Sequence, residues 1–166
     1  ILLIDGDMRN PSLHQLLGTQ NSMGLSNYLS GVDDYSQLIN SAKEQNFDAM
    51  TAGPIPPNAA ELLSSPRVHE LVTKLTEIYD TVIIDAPPVL GLADIPLLAD
   101  AVEGVIYTVE AGGVKIRGIE AAIRRIRSSH AHIFGGIITK IKSKNSGYGY
   151  GYDYQYSYGN KVQPES

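Results

Sequence analysis

Residues 1–9 read ILLIDGDMR, a run of four apolar residues that leads into two aspartates separated by one glycine. A continuous apolar run is typical of a strand that is buried on both faces of a parallel sheet. A second stretch, TVIIDAPP at residues 81–88, has the same form, with Asp85 directly after the apolar run. Ligands of open α/β sheets bind beyond the carboxyl ends of the strands. The two stretches therefore predict that Asp5, Asp7 and Asp85 meet at one functional edge of a sheet.

The rest of the chain alternates strand and helix patterns. Apolar runs predict further strands at residues 105–109 and 133–138, with a weaker candidate at 47–51. Apolar spacing and capping residues predict helices at residues 66–78 and 114–129, and shorter helices at 11–17 and 25–30. This alternation predicts an α/β fold, an open and mostly parallel sheet with helices on both faces.

The composition fits one globular domain. The chain has 166 residues, of which 43% are hydrophobic, and its net charge of −5 gives no indication of nucleic acid or an anionic membrane as a partner. It contains no cysteine, which excludes disulfides and thiolate metal sites. No apolar run approaches the roughly 18 residues that suggest a membrane span. These features favour a cytoplasmic domain.

The two ends of the chain differ from an ordinary domain. The sequence begins inside a strand pattern without an initiator methionine, so we expect that an upstream part of the domain is missing. We predict a partial domain over residues 1–141 and a flexible, disordered tail over residues 142–166, where the apolar periodicity stops. The tail carries a tyrosine at every second position, namely Tyr148, Tyr150, Tyr152, Tyr154, Tyr156 and Tyr158.

The strand-end carboxylates predict a cation site. In an extended chain, residues two apart point the same way and lie roughly 7 Å from each other, so Asp5 and Asp7 lean toward one face. Adjacent like charges repel, and a cation relieves the repulsion. Three carboxylates suit Mg²⁺, which in proteins usually also holds substrate phosphates. The alternative is that such aspartates only form turns, and that Arg9 makes an ordinary surface ion pair.

Four features of the sequence together resemble one protein family. ILLIDGDMR resembles the Walker A′ motif, D-x-D-x-R after an apolar run, and TVIIDAPP resembles the Walker B motif. Residues 52–67, AGPIPPNAAELLSSPR, resemble the segment between those motifs, and the tyrosine cluster completes the set. Together they are similar to the bacterial tyrosine kinases (BY-kinases), P-loop autokinases of capsule and exopolysaccharide synthesis. The resemblance implies a MinD-like P-loop fold, of which the first strand and the Walker A loop are absent from this sequence.

The resemblance also implies roles in phosphoryl transfer from ATP, with Mg²⁺ as the metal. Asp5 resembles the aspartate that orients the tyrosine hydroxyl and accepts its proton. Asp7 resembles the second aspartate near the metal, and Asp85 the Walker B aspartate that holds Mg²⁺ directly or through water. Arg9 completes the motif and is assigned with these aspartates to nucleotide binding. The six tyrosines of the tail are the implied phosphoacceptors, and their spacers let the tail enter a neighbouring active site.

Partners and location follow from the resemblance as well. It implies a homo-oligomeric ring that phosphorylates tails in trans, a membrane-spanning polysaccharide co-polymerase or activator, fused or separate, and a cognate tyrosine phosphatase. The protein would work in the cytoplasm, at the inner face of the bacterial plasma membrane, without a nucleic-acid partner. The sequence departs from the family at Thr139-Lys140, where an asparagine often reads the base, and at Ala59, where P-N-P is usual.

Two other functions stay open at this level. A positioning ATPase of the ParA/MinD type shares the fold and both strand-end motifs, but commonly has glutamine where Arg9 stands. A non-catalytic regulator of polysaccharide assembly would use the tyrosine cluster only as an adhesive tail, because Gly/Tyr repeats associate without any enzyme.

Overall fold

The computed structural model describes residues 1–42, 46–92, 94–129 and 131–141. The tyrosine cluster and the predicted tail lie outside these residues. In chain order the elements are β1 (Leu2–Asp5), α1 (Leu13–Leu16), α2 (Leu25–Leu29), a 3-10 helix (Tyr35–Leu38), β2 (Ile39–Ala42), β3 (Phe47–Met50), α3 (Ala59–Leu63), α4 (Arg67–Thr76), β4 (Val82–Asp85), α5 (Asp94–Asp100), β5 (Val105–Glu110), α6 (Ile116–Arg127) and β6 (Ile133–Thr139).

The strands confirm the predicted α/β class but form two sheets in the described part of the chain. Four strands have the order β2-β3-β1-β4, and β1 runs parallel to both of its neighbours. Strand β2 pairs antiparallel with β3 at the edge of this sheet, and strands β5 and β6 form a separate parallel pair. The sequence did not predict β2, because its residues INSA at 39–42 form no apolar run.

The core packs helices α2, α3 and α4 against the four-stranded sheet. Strand β1 is central in that sheet, and Leu2 and Ile4 on it are fully buried. Helix α4, predicted at residues 66–78, contributes Val68, Leu71 and Leu75. None of the helices in the described residues is long and apolar enough to cross a membrane.

An apolar cavity of about 770 Å³ separates the two sheets. Strand β4 pairs only with β1, and strand β5 only with β6, among the residues that the structure describes. Both strands line the cavity, as do side chains from α5 and α6. Four large apolar residues on its wall remain about half exposed: Ile83 (49%), Ile106 (56%), Phe134 (62%) and Ile137 (50%). The predicted single sheet is thus interrupted between β4 and β5.

Candidate active site

The carboxyl ends of β1 and β4 lie side by side. Asp5 is the register partner of Asp85 in the parallel ladder, and the N–H of Gly6 donates to the carbonyl oxygen of Asp85 at 2.7 Å. Neighbouring strands are about 4.8 Å apart, which is as close as two backbones approach in a sheet. The structure therefore brings Asp5 and Asp85 together at one edge, as the two sequence stretches predict.

Gly6 permits this close approach. A Cβ atom at Gly6 would lie 2.8 Å from Cγ2 of Ile84 and 2.9 Å from the carbonyl oxygen of Asp85. The second contact is to backbone, which cannot move aside without breaking the strand pairing. The glycine between the two aspartates is thus required by packing.

We expect the Gly6→Ala substitution to lower the free energy of unfolding by about 1–3 kcal/mol, because the added methyl group overpacks the β1–β4 contact. Urea unfolding followed by circular dichroism measures this change. Gly135→Ala is the matched control, since a Cβ at Gly135 meets no atom within 4 Å. Equal effects of the two substitutions would contradict the packing explanation.

The Asp5 carboxylate is enclosed by backbone donors. Its Oδ1 accepts the N–H of Asp7 at 3.2 Å, and its Oδ2 accepts the N–H groups of Ser12 and Leu13, each at 3.0 Å. Asp5 has no exposed surface. In this conformation the carboxylate ties the end of β1 to the start of α1. A tyrosine hydroxyl can reach this carboxylate only if the loop between β1 and α1 opens. The role of Asp5 as proton acceptor therefore stays a prediction.

Asp7 and Asp85 are the accessible carboxylates. Asp7 is half-buried, and its Oδ1 accepts the N–H groups of Arg9 at 3.2 Å and Asn10 at 3.0 Å. Asp85 reaches solvent, but the surrounding protein removes part of its hydration. This desolvation raises the pKa of the Asp85 carboxyl, and the negative charges of Asp5 and Asp7 raise it further. The site therefore carries the like-charge repulsion that a cation would relieve.

These carboxylates suit a cation that takes most of its ligands from elsewhere. No group of three or more His, Cys, Asp or Glu side chains within the described ranges has the geometry of a complete metal site. Mg²⁺ usually keeps several waters and is held by one or two carboxylates together with substrate phosphates. Asp7 and Asp85 fit that pattern, whereas a site built entirely from protein ligands does not.

Arg9 makes an ion pair with a buried aspartate. Its Nε donates to Oδ2 of Asp94 at 2.7 Å, and its Nη2 donates to Oδ1 at 3.1 Å. Asp94 is the first residue of α5 and is buried. Arg9 thus makes an ion pair, as the alternative predicts, but its partner is buried and the pair is not an ordinary surface pair. Nucleotide binding by Arg9 stays a prediction. No local sequence pattern identifies Asp94 as the partner of Arg9.

A tightly bonded loop follows β3 at the same edge of the sheet. The side-chain amide of Asn21 donates to the carbonyl oxygen of Gly53 at 2.7 Å and accepts its N–H at 2.9 Å. Gly53 has a φ of +77°, and a Cβ there would lie 2.6 Å from Oγ of Ser26 and from Oδ1 of Asn27. The glycine of the AGP sequence that opens residues 52–67 thus has a structural reason. Ala59, the departure from P-N-P, begins α3.

Comparisons with known proteins agree with this geometry. No family model matches the chain. Tyrosine-protein kinase YwqD of Bacillus subtilis is 35% identical over 138 residues, which cover 83% of this chain and 58% of that protein. Tyrosine-protein kinase wzc of Salmonella typhi is 35% identical over 141 residues, which cover 85% of this chain and 20% of that protein. The chain therefore spans less than two thirds of the length of these relatives.

Solved structures give the same result. The kinase domain of Escherichia coli tyrosine kinase ETK superposes with a TM-score of 0.83 at 32% identity, covering 92% of this chain and 60% of that one. The septum site-determining protein MinD of Pyrococcus horikoshii, complexed with Mg-ADP, superposes with a TM-score of 0.63 at 20% identity, over 82% of this chain and 56% of that one. The second likeness concerns the fold alone.

The chain has the fold of MinD, a P-loop fold, with the paired aspartates at the carboxyl edge of its sheet. Among proteins with that fold, the sequence relatives and the ETK kinase domain identify a narrower group. The chain belongs to the bacterial tyrosine kinase family.

Proposed function

We propose that this chain supplies the Walker A′ and Walker B parts of an ATP-dependent protein-tyrosine autokinase. The kinase transfers the γ-phosphoryl group of ATP to the tyrosine cluster of a neighbouring subunit. The observation that carries this proposal is the register pairing of Asp5 with Asp85, with Asp7 next to them. The similarity to tyrosine kinases in sequence and structure supports it.

The proposed roles of the three aspartates follow from how exposed each side chain is. Asp7 and Asp85 would hold Mg²⁺, which neutralises charge on the nucleotide phosphates when it is bound. Asp5 fixes the loop that carries Asp7, through its bonds to the backbone of Ser12 and Leu13. A phenol has a pKa near 10, so its proton has to pass to an acceptor during the transfer. By resemblance that acceptor is Asp5, once the loop opens.

The cavity between β4 and β5 is the proposed place of the phosphate-binding strand. An edge strand of each sheet borders it, and its wall is apolar on both sides. A strand inserted there would pair with both edges and join the two sheets. Its carboxyl end would emerge beside Asp85, where the backbone N–H groups of a glycine-rich turn cradle phosphates. This placement explains why Ile83 and Ile106 are half exposed in the described chain.

The proposed biological role is control of capsular or exopolysaccharide synthesis and export. In this proposal the subunits form a ring, and a membrane-spanning activator, fused or separate, holds the ring at the inner face of the plasma membrane. Six phosphotyrosines would add roughly −9 to −12 charges to each tail. The tails would then repel one another and loosen the ring, and a tyrosine phosphatase would restore it.

We expect the protein expressed from its complete gene, called the whole gene product below, to become phosphorylated on tyrosine when it is given Mg-ATP. An anti-phosphotyrosine immunoblot measures this. Replacing all six tyrosines of the cluster by phenylalanine should remove at least about 90% of the signal, because no other hydroxyl group in the tail is a phenol. ATP hydrolysis without phosphotyrosine would indicate a ParA/MinD-type ATPase, and neither activity would indicate the non-catalytic regulator.

A further inference from the structure

A partly buried ion pair connects the two halves of the candidate site. Arg9 lies in the loop that follows β1, and Asp94 begins α5, the first helix after β4. The two guanidinium donors Nε and Nη2 meet the two carboxylate oxygens at 2.7 and 3.1 Å, a bidentate arrangement. The side chain of Asp94 is 2% exposed and that of Arg9 is 43% exposed. Asp94 is thus held inside the protein, whereas the side chain of Arg9 reaches the surface.

The same arginine also holds Asp7. Its backbone N–H donates to Oδ1 of Asp7 at 3.2 Å, next to the bond from the N–H of Asn10 at 3.0 Å. Met8, between Asp7 and Arg9, is 2% exposed and belongs to the core. A continuous set of contacts therefore runs from α5 through the guanidinium and the backbone of Arg9 to the carboxylate of Asp7.

We infer that Asp94 is a positioning residue of the active site. It anchors the Arg9 guanidinium on α5, and through the backbone of Arg9 it sets the orientation of the Asp7 carboxylate relative to Asp85. A bidentate pair suits this role because it fixes the angle of the guanidinium as well as its distance. The inference rests on the proposed function for the statement that Asp7 and Asp85 share a metal with the nucleotide.

The alternative is that the pair only stabilises the fold. Removing Arg9 leaves the buried Asp94 carboxylate unpaired, and removing Asp94 leaves the partly exposed guanidinium unpaired. Either change destabilises the protein whether or not the pair orients Asp7. A decrease in stability therefore cannot distinguish the two roles. A change in metal affinity can, because residues that orient metal ligands typically change metal affinity 10- to 100-fold when they are replaced.

The test measures Mn²⁺ binding to the whole gene product in the presence of ADP, by electron paramagnetic resonance. We expect Asp94→Asn to weaken Mn²⁺ binding about 10-fold, because the neutral amide no longer holds the guanidinium by charge. Asp33→Asn is the matched control. It removes the charge from another Arg–Asp pair, in which Arg67 contacts Asp33 at 2.9 Å on the exposed surface, and should leave Mn²⁺ binding unchanged.

A second variant covers the case in which Asp94→Asn does not fold. Replacing both partners, as Arg9→Met with Asp94→Leu, exchanges the ion pair for an apolar contact of similar volume, which proteins often tolerate. This double variant should show the same weakening of about 10-fold, because it removes the same anchor. Unchanged Mn²⁺ binding by a folded variant of either kind would overturn the inference.

Tyrosine phosphorylation of the wild-type protein is scored separately. Wild-type protein that binds Mn²⁺ with ADP but forms no phosphotyrosine would refute the kinase proposal, while a weaker Mn²⁺ affinity of the Asp94 variants would still support the positioning role. Active wild-type protein whose Asp94 variants bind Mn²⁺ normally would refute the positioning role alone. Absence of Mn²⁺ binding by the wild-type protein would refute both.

Discussion

Asp85→Asn in the whole gene product is expected to reduce tyrosine phosphorylation at least about 100-fold, the loss typical of removing one electrostatic group from a catalytic site. Asparagine keeps the size of the side chain but loses the charge that a shared Mg²⁺ requires. Asp7→Asn should cause a loss of similar size for the same reason. Initial rates of phosphate incorporation from labelled ATP measure both effects.

The same substitution is expected to stabilise the protein when no divalent cation is present. Desolvation and the charges of Asp5 and Asp7 raise the pKa of Asp85, so the folded protein binds this proton more tightly than the unfolded chain does. The ionised carboxylate therefore lowers the free energy of unfolding as the pH rises through that pKa. Neutral asparagine avoids this cost, so its advantage should be present at pH 7 and disappear near pH 3. Thermal unfolding at the two pH values measures the difference.

Asp80→Asn is the control for both experiments, because Asp80 precedes β4 at the opposite end of that strand and is exposed. It should change neither the phosphorylation rate nor the pH dependence of stability in the way that Asp85→Asn does. Wild-type phosphorylation by Asp85→Asn would refute the assignment of Asp85. A loss of stability at neutral pH would refute the electrostatic explanation.

The 166 residues alone are expected to show no Mg-ATP binding at nucleotide concentrations up to about 1 mM, a limit that corresponds to roughly −4 kcal/mol. The sequence contains no glycine-rich loop ending in Gly-Lys-Ser or Gly-Lys-Thr, and the backbone N–H groups of such a loop supply most of the phosphate contacts. A polypeptide that joins a strand and loop of this kind to the chain should bind Mg-ATP at least about 100-fold more tightly. Isothermal titration calorimetry compares the two.

Binding of the added strand has a second measurable consequence. It distinguishes a specific gain in Mg-ATP affinity from a non-specific one. If the strand occupies the cavity between β4 and β5, the exposed apolar wall around Ile106 and Phe134 should become protected, and binding of an apolar dye should fall. Mg-ATP binding that appears without loss of dye binding would place the strand elsewhere. Tight Mg-ATP binding by the 166 residues alone would contradict the expectation directly.

Local sequence patterns could predict the elements that carry the site. The apolar runs before Asp5 and Asp85 predict β1 and β4, and the observed bounds differ by one residue at each end. Helical spacing predicts α6 at residues 114–129, and the helix spans Ile116–Arg127. These features depend on neighbouring residues only, because a strand or helix that is buried on a defined face shows that face in its periodicity.

Features that depend on long-range contacts could not be predicted. The partners Arg9 and Asp94 are 85 residues apart, and no local pattern connects them. The enclosure of Asp5 depends on where α1 turns back toward the strand, and the cavity depends on which strands fail to pair. Strand β6 was predicted to be buried on both faces, yet Phe134 and Ile138 on it are more than 60% exposed. Apolar composition indicates that a surface becomes buried, but it does not identify the element that buries it.

The central claim is that the site at Asp7 and Asp85 phosphorylates the tyrosine cluster of another subunit. Two variants of the whole gene product test it when they are mixed with Mg-ATP: Asp85→Asn with its tyrosines intact, and the variant with six phenylalanines and an intact site. The claim predicts that each variant alone stays far below the wild-type phosphotyrosine level, and that in the mixture the Asp85→Asn chains become phosphorylated. Wild-type phosphorylation of Asp85→Asn alone, or no increase in the mixture when the wild-type protein is active, would contradict it.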